Sequence, residues 1–240
     1  MKAMIFAAGK GTRLQPFTDS MPKALVKING IPMLERVIQK LIQSGVDEII
    51  INVHHFAKQI IDFLEEKDHF GIRIEISNEE NELLDTGGGL KKASWFFNDN
   101  KPFIVHNVDI LSNIDLVKIL EYHQQNNALV TLAVRERKSS RYFLFNHQNR
   151  LCGWEHIKTG EIINHNTSNK IKKFAFSGIH IINPEIFNYW PVLSKFSIVK
   201  TYLDLSHNHP IMAFPHNQDY WFDIGKPDNL KEAEAFFNIQ

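Results

Sequence analysis

Lys2-Ala3-Met4-Ile5-Phe6-Ala7-Ala8-Gly9-Lys10-Gly11-Thr12-Arg13-Leu14 decides the fold. The apolar run ending at Ala8 reads as a buried first strand of a parallel sheet, over Lys2–Ala7. Such a strand delivers its following loop to the carboxyl edge of the sheet, where α/β proteins bind ligands. Gly9 and Gly11 let the backbone N–H groups of that loop approach an anion closely. Arg13, and Lys23 in Met21-Pro22-Lys23-Ala24-Leu25, add fixed positive charge, so the stretch suits a triphosphate. No Gly-Lys-Ser/Thr ends the loop, so it is not a Walker A loop. Leu14 stands where a dinucleotide fingerprint needs its third glycine. An ordinary glycine-bearing βα turn is the competing reading for Gly9 and Gly11 alone.

Outward from that loop, strand and helix patterns alternate. Pro32–Ser44 reads as a helix with Pro32 at its first position, an apolar stripe of Leu34, Val37, Ile38, Leu41 and Ile42, and Gly45 as its stop. Glu48–Val53 is a second buried strand and Ala57–Lys67 a second helix. Ile72–Ile76 alternates as a half-exposed strand. A third helix lies within Gly87–Phe97, a strand over Pro102–Val108, and a helix over Ile114–Gln125 capped by Asn113. Alternating βα units imply a doubly wound, mostly parallel sheet with right-handed crossovers.

Beyond about residue 127 short strands dominate: 128–135, 142–146, 150–154, 174–183, 211–214 and 220–224. Helical pieces begin at Pro184, Ser197 and Pro227. With no flexible linker in between, these read as α+β insertions on the same sheet, within a single domain over residues 1–240.

Composition sets limits. The 240 residues carry 27 basic and 27 acidic side chains, and a balanced chain lacks the clustered cations on which nucleic-acid binding depends. One cysteine, Cys152, excludes an internal disulfide framework and fits a reducing compartment. The start shows no secretory pattern, and no apolar run approaches the roughly twenty residues of a membrane span. A cytoplasmic protein without membrane or nucleic-acid partners is the expectation. The twelve histidines show no ligand spacing, and adjacent His54 and His55 face opposite sides of a strand.

Two aspartates extend the loop's chemistry. Asp109 follows the buried strand Phe103–Val108 and so shares the carboxyl edge with the glycine loop. A carboxylate there suits Mg²⁺, which takes one or two carboxylates plus phosphate oxygens; a turn cap is the plain alternative. Asp223, in Trp221-Phe222-Asp223-Ile224-Gly225, also ends an apolar strand, and by itself reads as a turn residue. In Leu84-Asp85-Thr86-Gly87-Gly88-Gly89 three glycines remove every side chain, so that a flat base could lie against the backbone; a flexible turn is the alternative.

The string Ala-Ala-Gly-x-Gly-Thr-Arg-Leu-x-Pro-x-Thr, followed by Pro-Lys-x-Leu, resembles the signature of the sugar-phosphate nucleotidyltransferases. Thr86-Gly87-Gly88-Gly89 and Phe196-Ser197-Ile198-Val199 are similar to the short N-acetylmuramate 1-phosphate uridylyltransferases in particular. The former also resembles heptose 1-phosphate guanylyltransferases. The resemblance implies a Rossmann-like nucleotide-diphospho-sugar transferase fold, with a nucleotide-binding half over 1–127 and a sugar-phosphate-binding half over 128–240. It implies an enzyme that joins a nucleoside triphosphate, UTP foremost, to a sugar 1-phosphate, N-acetylmuramate 1-phosphate foremost, and releases pyrophosphate. Such a reaction belongs to cell-wall recycling.

The implied roles follow residue by residue. Arg13, Lys23 and Asp109 would be catalytic. Ala7, Ala8, Gly9, Gly11, Thr12, Arg13, Thr86, Gly87 and Gly88 would hold the nucleotide. Lys23, Asn107, Glu155, Ser177 and Gly178 would hold the sugar phosphate, and Asp109 with Asp223 would hold Mg²⁺. The chain departs from the pattern at Val108, where relatives carry Gly or Ala. It departs again at Trp154-Glu155-His156, where they carry Glu-Lys-Pro. No β-helix or acetyltransferase extension follows, so a single activity is expected, in a monomer or small homo-oligomer. Other hexose or heptose 1-phosphates, or phosphocholine, with GTP, dTTP or CTP stay open. So does a non-catalytic nucleotide-sugar-binding regulator.

Overall fold

A computed structural model describes residues 1–80, 82–164 and 171–238. The chain divides into two compact units that interleave along the sequence. The first comprises residues 1–84, 105–114 and 220–240, the second residues 85–104 and 115–219.

The first unit opens with β1 (Lys2–Phe6), whose Ala3, Met4 and Ile5 are fully buried. Two short strands, β2 (Lys27–Ile28) and β3 (Ile31–Pro32), form a hairpin ahead of α1 (Met33–Gln43). The helix thus starts one residue later than the sequence pattern indicates. Pro32 is its cap in extended conformation, because it is still paired with Lys27 across the hairpin. β4 (Glu48–Val53), α2 (Ala57–Glu66) and β5 (Arg73–Asn78) follow. β1 pairs with β4, and β4 with β5, in parallel. Ile49, Ile50 and Ile51 have no exposed surface, as expected of a strand covered on both faces.

The second unit begins with α3 (Asp85–Lys92). The glycine triplet is therefore helical, and a separate 3₁₀ turn over Ser94–Phe96 follows where the pattern suggested one longer helix. In β6 (Phe103–Asn107) the chain passes back into the first unit, and its Val105–Asn107 segment flanks β1. The strand order there is β5-β4-β1-β6. β7 (Ile110–Ser112) comes next.

α4 (Leu116–Gln125) returns to the second unit. Its cap is Asp115, not Asn113: the Asp115 carboxylate accepts from the N–H groups of Val117 and Lys118, both at 3.1 Å. Asn113 instead accepts from Tyr220 N–H at 2.8 Å. β8 (Val130–Arg135), β9 (Arg141–Phe145), β10 (Leu151–His156), β11 (Glu161–Asn164) and β12 (Lys172–Ile182) build a largely antiparallel sheet. α5 (Ile198–Leu205) and β13 (Ile211–Pro215) complete that unit, β13 lying parallel to β8. An aromatic stack of Phe97, Phe103 and Phe187 fills part of its core.

β14 (Trp221–Asp223) and α6 (Pro227–Asn238) close the first unit, β14 pairing antiparallel with β7. The fold is mixed α/β around a mostly parallel central sheet. Among the described residues no helix is long and apolar enough to cross a membrane.

Candidate active site

In the first unit, β1 ends where Ala7 and Ala8 are still buried, and the chain then turns outward through exposed Gly9 and Lys10. A side chain at Gly9 would meet nothing within 4 Å, so the backbone there is open to a ligand. Gly11 is different. It adopts φ +68°, and a Cβ would lie 2.9 Å from Thr18 Cγ2, so both conformation and space demand glycine. Thr18 Oγ1 donates to Gly11 O at 2.9 Å and folds the loop back on itself. Thr12–Leu14 form one 3₁₀ turn, anchored by fully buried Leu14, with Thr12 and Arg13 facing outward.

Lys23 follows Pro22 at the start of a second 3₁₀ turn, and its Nζ forms an ion pair with Asp109 Oδ2. The two side chains are 11% and 19% exposed, so the pair is sheltered but open to a ligand. Asp109 is held by its neighbours. Val108 N–H donates to Phe6 O at 3.1 Å, and Ile224 N–H donates to Asp109 O at 2.8 Å. The second of these bonds carries Asp223 to the same place, since Asp223 stands opposite Ile110 in the β7–β14 ladder. A Cβ on Gly225 would lie 2.8 Å from Asp223 Oδ1 and 3.0 Å from Arg13 Nη2. A side chain at 225 would crowd both the Arg13 guanidinium and the Asp223 carboxylate, so glycine there leaves both groups room in one corner. Asn107 sits half-buried at the end of β6, and its carbonyl accepts from His106 Nδ1–H at 2.8 Å. Burial, chiefly, lowers the His106 pKa to about 4, so this imidazole is neutral beside the charged cluster.

The first unit thus brings together Ala7, Ala8, Gly9, Gly11, Thr12, Arg13, Lys23, Asn107, Asp109 and Asp223 at the ends of β1, β6 and β14. Two cations and two carboxylates share one corner. Among the described residues no group of three or more His, Cys, Asp or Glu side chains could hold a metal. The pair Asp109 and Asp223 matches the donor set of a Mg²⁺ whose remaining ligands come from phosphate and water.

The remaining candidates lie in the second unit. The N–H groups of Gly87 and Gly88 donate to Phe196 O at 2.9 and 3.3 Å. A Cβ on Gly87 would lie 2.4 Å from the Phe196 ring. Thr86 Oγ1 accepts from Ile198 N–H at 3.1 Å. The glycine face that the sequence offers to a base is, within this unit, covered by the residues leading into α5. Glu155, on β10, meets Lys173 Nζ of β12 at 2.5 Å, so a lysine from a distant strand stands beside the glutamate. Ser177 is fully buried, its Oγ 2.6 Å from His216 Nε2. Gly178, φ +77°, marks the register shift between Phe176 and His180 in the β12–β8 ladder. His216 has its pKa lowered to about 4, first by burial and then by the charge of Arg135.

Lys173, Phe196 and His216 carry no local signal of these contacts, since each acts on a residue distant in sequence or on another strand. Thr18 is the last residue of the quoted signature string and bonds to Gly11, in the same loop. Gly225 does have a signal, its place directly after the Asp223-Ile224 pair at the exit of β14.

The family model for nucleotidyl transferases matches residues 2–239. The chain belongs to the nucleotidyl transferase family. A Synechocystis relative named UTP--glucose-1-phosphate uridylyltransferase is 30% identical over 97% of this chain and 62% of its own length. The chain thus spans less than two thirds of that longer relative. A Caulobacter vibrioides relative named N-acetylmuramate alpha-1-phosphate uridylyltransferase is 27% identical over 97% of this chain and 95% of its own. The crystal structure of HddC from Yersinia pseudotuberculosis complexed with GMP-PN is similar with a TM-score of 0.77 and 26% identity, covering 98% of this chain and 99% of that one. Family membership accounts for the mixed α/β fold and for the nearly full length over which motifs and structure correspond.

Proposed function

We propose that this nucleotidyl transferase joins a nucleoside triphosphate to a sugar 1-phosphate and releases pyrophosphate. The observation that carries the reading is the corner formed by Arg13, Lys23, Asp109 and Asp223 at the mouth of the glycine loop. An oxygen of the sugar 1-phosphate attacks the α-phosphorus, forming one P–O bond. The bond from the α-phosphorus to the bridging oxygen breaks, and its electron pair leaves with pyrophosphate. Both reactants are anions, so positioning and charge neutralisation carry the catalysis. The nucleophile is already ionised, and no general base is assigned.

Backbone N–H groups of the loop from Ala8 to Thr12 receive the triphosphate, while the Ala7 N–H is held by Asn52 behind them. Arg13 holds the leaving β- and γ-phosphates, for which its fork of donors is suited. Lys23 exchanges its bond to Asp109 for the α-phosphate and the incoming phosphate. Asp109 and Asp223 would hold Mg²⁺, which when bound supplies further neutralisation of phosphate charge. The resemblance supports assigning Thr86, Gly87 and Gly88 to the base, with Phe196 filling the space beside Gly87 and holding the N–H groups of Gly87 and Gly88. Asn107, Glu155 and Gly178 are assigned to the sugar phosphate, with Lys173 added as the cation beside Glu155; the resemblance adds Ser177, whose buried hydroxyl is held by His216. Residues 1–127 would serve mainly the nucleotide and 128–240 the sugar phosphate. The single cysteine, Cys152, is a buried thiol outside any disulfide, which supports a reducing, cytoplasmic setting.

UTP and N-acetylmuramate 1-phosphate are the favoured pair, supported by the Caulobacter relative of matching length. Glucose 1-phosphate with UTP is the second reading, supported by the Synechocystis relative. Pyrophosphate release is measured across four triphosphates and a panel of sugar 1-phosphates with Mg²⁺. Release with one triphosphate and a sugar 1-phosphate is expected, fastest with the favoured pair. Binding of nucleotide without release on any sugar phosphate would overturn the enzyme reading in favour of a nucleotide-sugar-binding regulator.

A further inference from the structure

Two buried side chains behind the glycine loop belong to no motif. Asn52, on β4, is 4% exposed, and Glu79, just beyond β5, is 1% exposed. In the parallel ladder Phe6 stands opposite Asn52, so Ala7 is the first residue past the pairing of β1. Its N–H donates to Asn52 Oδ1 at 2.8 Å, continuing the ladder through a side chain. Asn52 Nδ2 donates to Glu79 Oε1 at 2.7 Å. The other carboxylate oxygen, Oε2, accepts from Leu84 N–H at 2.9 Å. The Glu79 backbone is fixed as well: its N–H donates to Val53 O at 2.7 Å, and its C=O accepts from His54 Nδ1–H at 2.9 Å.

The polarity of this chain of bonds has one solution. Ala7 N–H needs an acceptor and the Glu79 carboxylate needs a donor, so the Asn52 amide has a single orientation. Asn52 Nδ2 and Leu84 N–H both point at residue 79, and only a group with two acceptors satisfies both. Because burial makes each unmet bond expensive, the chain holds as a unit or fails as a unit.

We propose that Asn52 and Glu79 are positioning residues for the triphosphate, joining the first residue of the glycine loop to the last residue before α3. This rests on the nucleotidyl-transfer reading above. The pair touches neither the reacting atoms nor Lys23. Its contribution is the placement of the loop backbone from Ala7 onward, and so it acts on triphosphate binding more than on the sugar phosphate.

The test is a polarity swap. E79Q alone turns an amide NH₂ toward another donor, and N52D alone turns one carboxylate toward another. In N52D/E79Q every bond has a partner again, with the middle one reversed in polarity. The carboxylate at position 52 accepts from Ala7 N–H and from the amide NH₂ at position 79, and the amide oxygen at position 79 accepts from Leu84 N–H. Each single variant is expected to raise the KM for MgUTP about tenfold, with the KM for the sugar 1-phosphate and kcat within about twofold. The double variant is expected to return to the wild-type value. Folded single variants with an unchanged KM for MgUTP, or a folded double variant no better than either, would overturn the proposal. If the single variants do not fold, the double variant decides alone. Should wild type use no triphosphate at all, the functional reading fails, and the clamp is then judged by amide exchange at Ala7 and Leu84. Faster exchange in the single variants and wild-type exchange in the double supports it; unchanged exchange in folded single variants overturns it.

Discussion

The two units use glycine in opposite ways. In the first, Gly9 leaves open space, and Gly225 leaves room beside both the Arg13 guanidinium and the Asp223 carboxylate. In the second, Gly87 is filled by the ring and carbonyl of Phe196, and its N–H is already bonded. The candidate residues of the first unit are charged or backbone groups turned toward a corner. Those of the second include a helix filled by its own neighbour and a fully buried serine. A motif residue can therefore owe its identity to a ligand in one part of a chain and to packing in another, and the neighbours of a missing Cβ tell the two apart.

The largest effect should come from the first unit. Lys23→Ala removes the cation assigned to the reacting phosphates, and kcat/KM should fall on the order of 10³-fold with little change in thermal midpoint. Pyrophosphate release and calorimetry on one preparation check both halves of that statement, and near-normal turnover would remove Lys23 from the mechanism.

Acid should separate the units next. His106 in the first unit, and His123 and His216 in the second, each have their pKa lowered to about 4, with burial the leading cause. A histidine held neutral in the fold is protonated more readily when unfolded. Stability from these groups is therefore complete above about pH 6.5 and declines as pH falls toward 4, by on the order of 1 kcal/mol per pH unit for each. Amide exchange at pH 7 and pH 5 should show the greater loss of protection in the second unit, which holds two of the three. Equal protection at both pH values would contradict this.

The glycines give a sharper and smaller contrast. Gly87→Ala places a methyl group 2.4 Å from the Phe196 ring and should cost about 1–3 kcal/mol in denaturant unfolding. Gly9→Ala meets nothing and should change stability by less than about 0.5 kcal/mol, while raising the KM for the triphosphate. Similar stability losses in both would erase the distinction between the units. Smallest of all, Lys173→Met breaks an ion pair whose lysine side chain is 55% exposed. It should cost under about 1 kcal/mol, and its signature should be a raised KM for the sugar 1-phosphate.

Much of this architecture was legible in the sequence, because periodicity and turn residues are local. The buried strands β1, β4 and β6 and the apolar stripe of α1 announce themselves. The resemblance of residues 7–25 to the sugar-phosphate nucleotidyltransferases placed the chain in its family. Other features depend on distant partners. Asp115 displaces Asn113 as a helix cap because Tyr220 N–H claims the Asn113 side chain. Pro32 is excluded from α1 by a two-strand hairpin too short to leave a periodic pattern. The fate of the glycine triplet depends on Phe196, more than a hundred residues away, and the lysine beside Glu155 comes from another strand.

The central claim is direct attack of one phosphate on another, with no side chain becoming covalently attached on the way. The stereochemical course at the α-phosphorus tests it most directly, using a chiral α-thiotriphosphate of the preferred nucleoside. The account predicts inversion in the nucleoside diphosphate sugar. Retention would require two successive displacements through an intermediate on the protein and would contradict it.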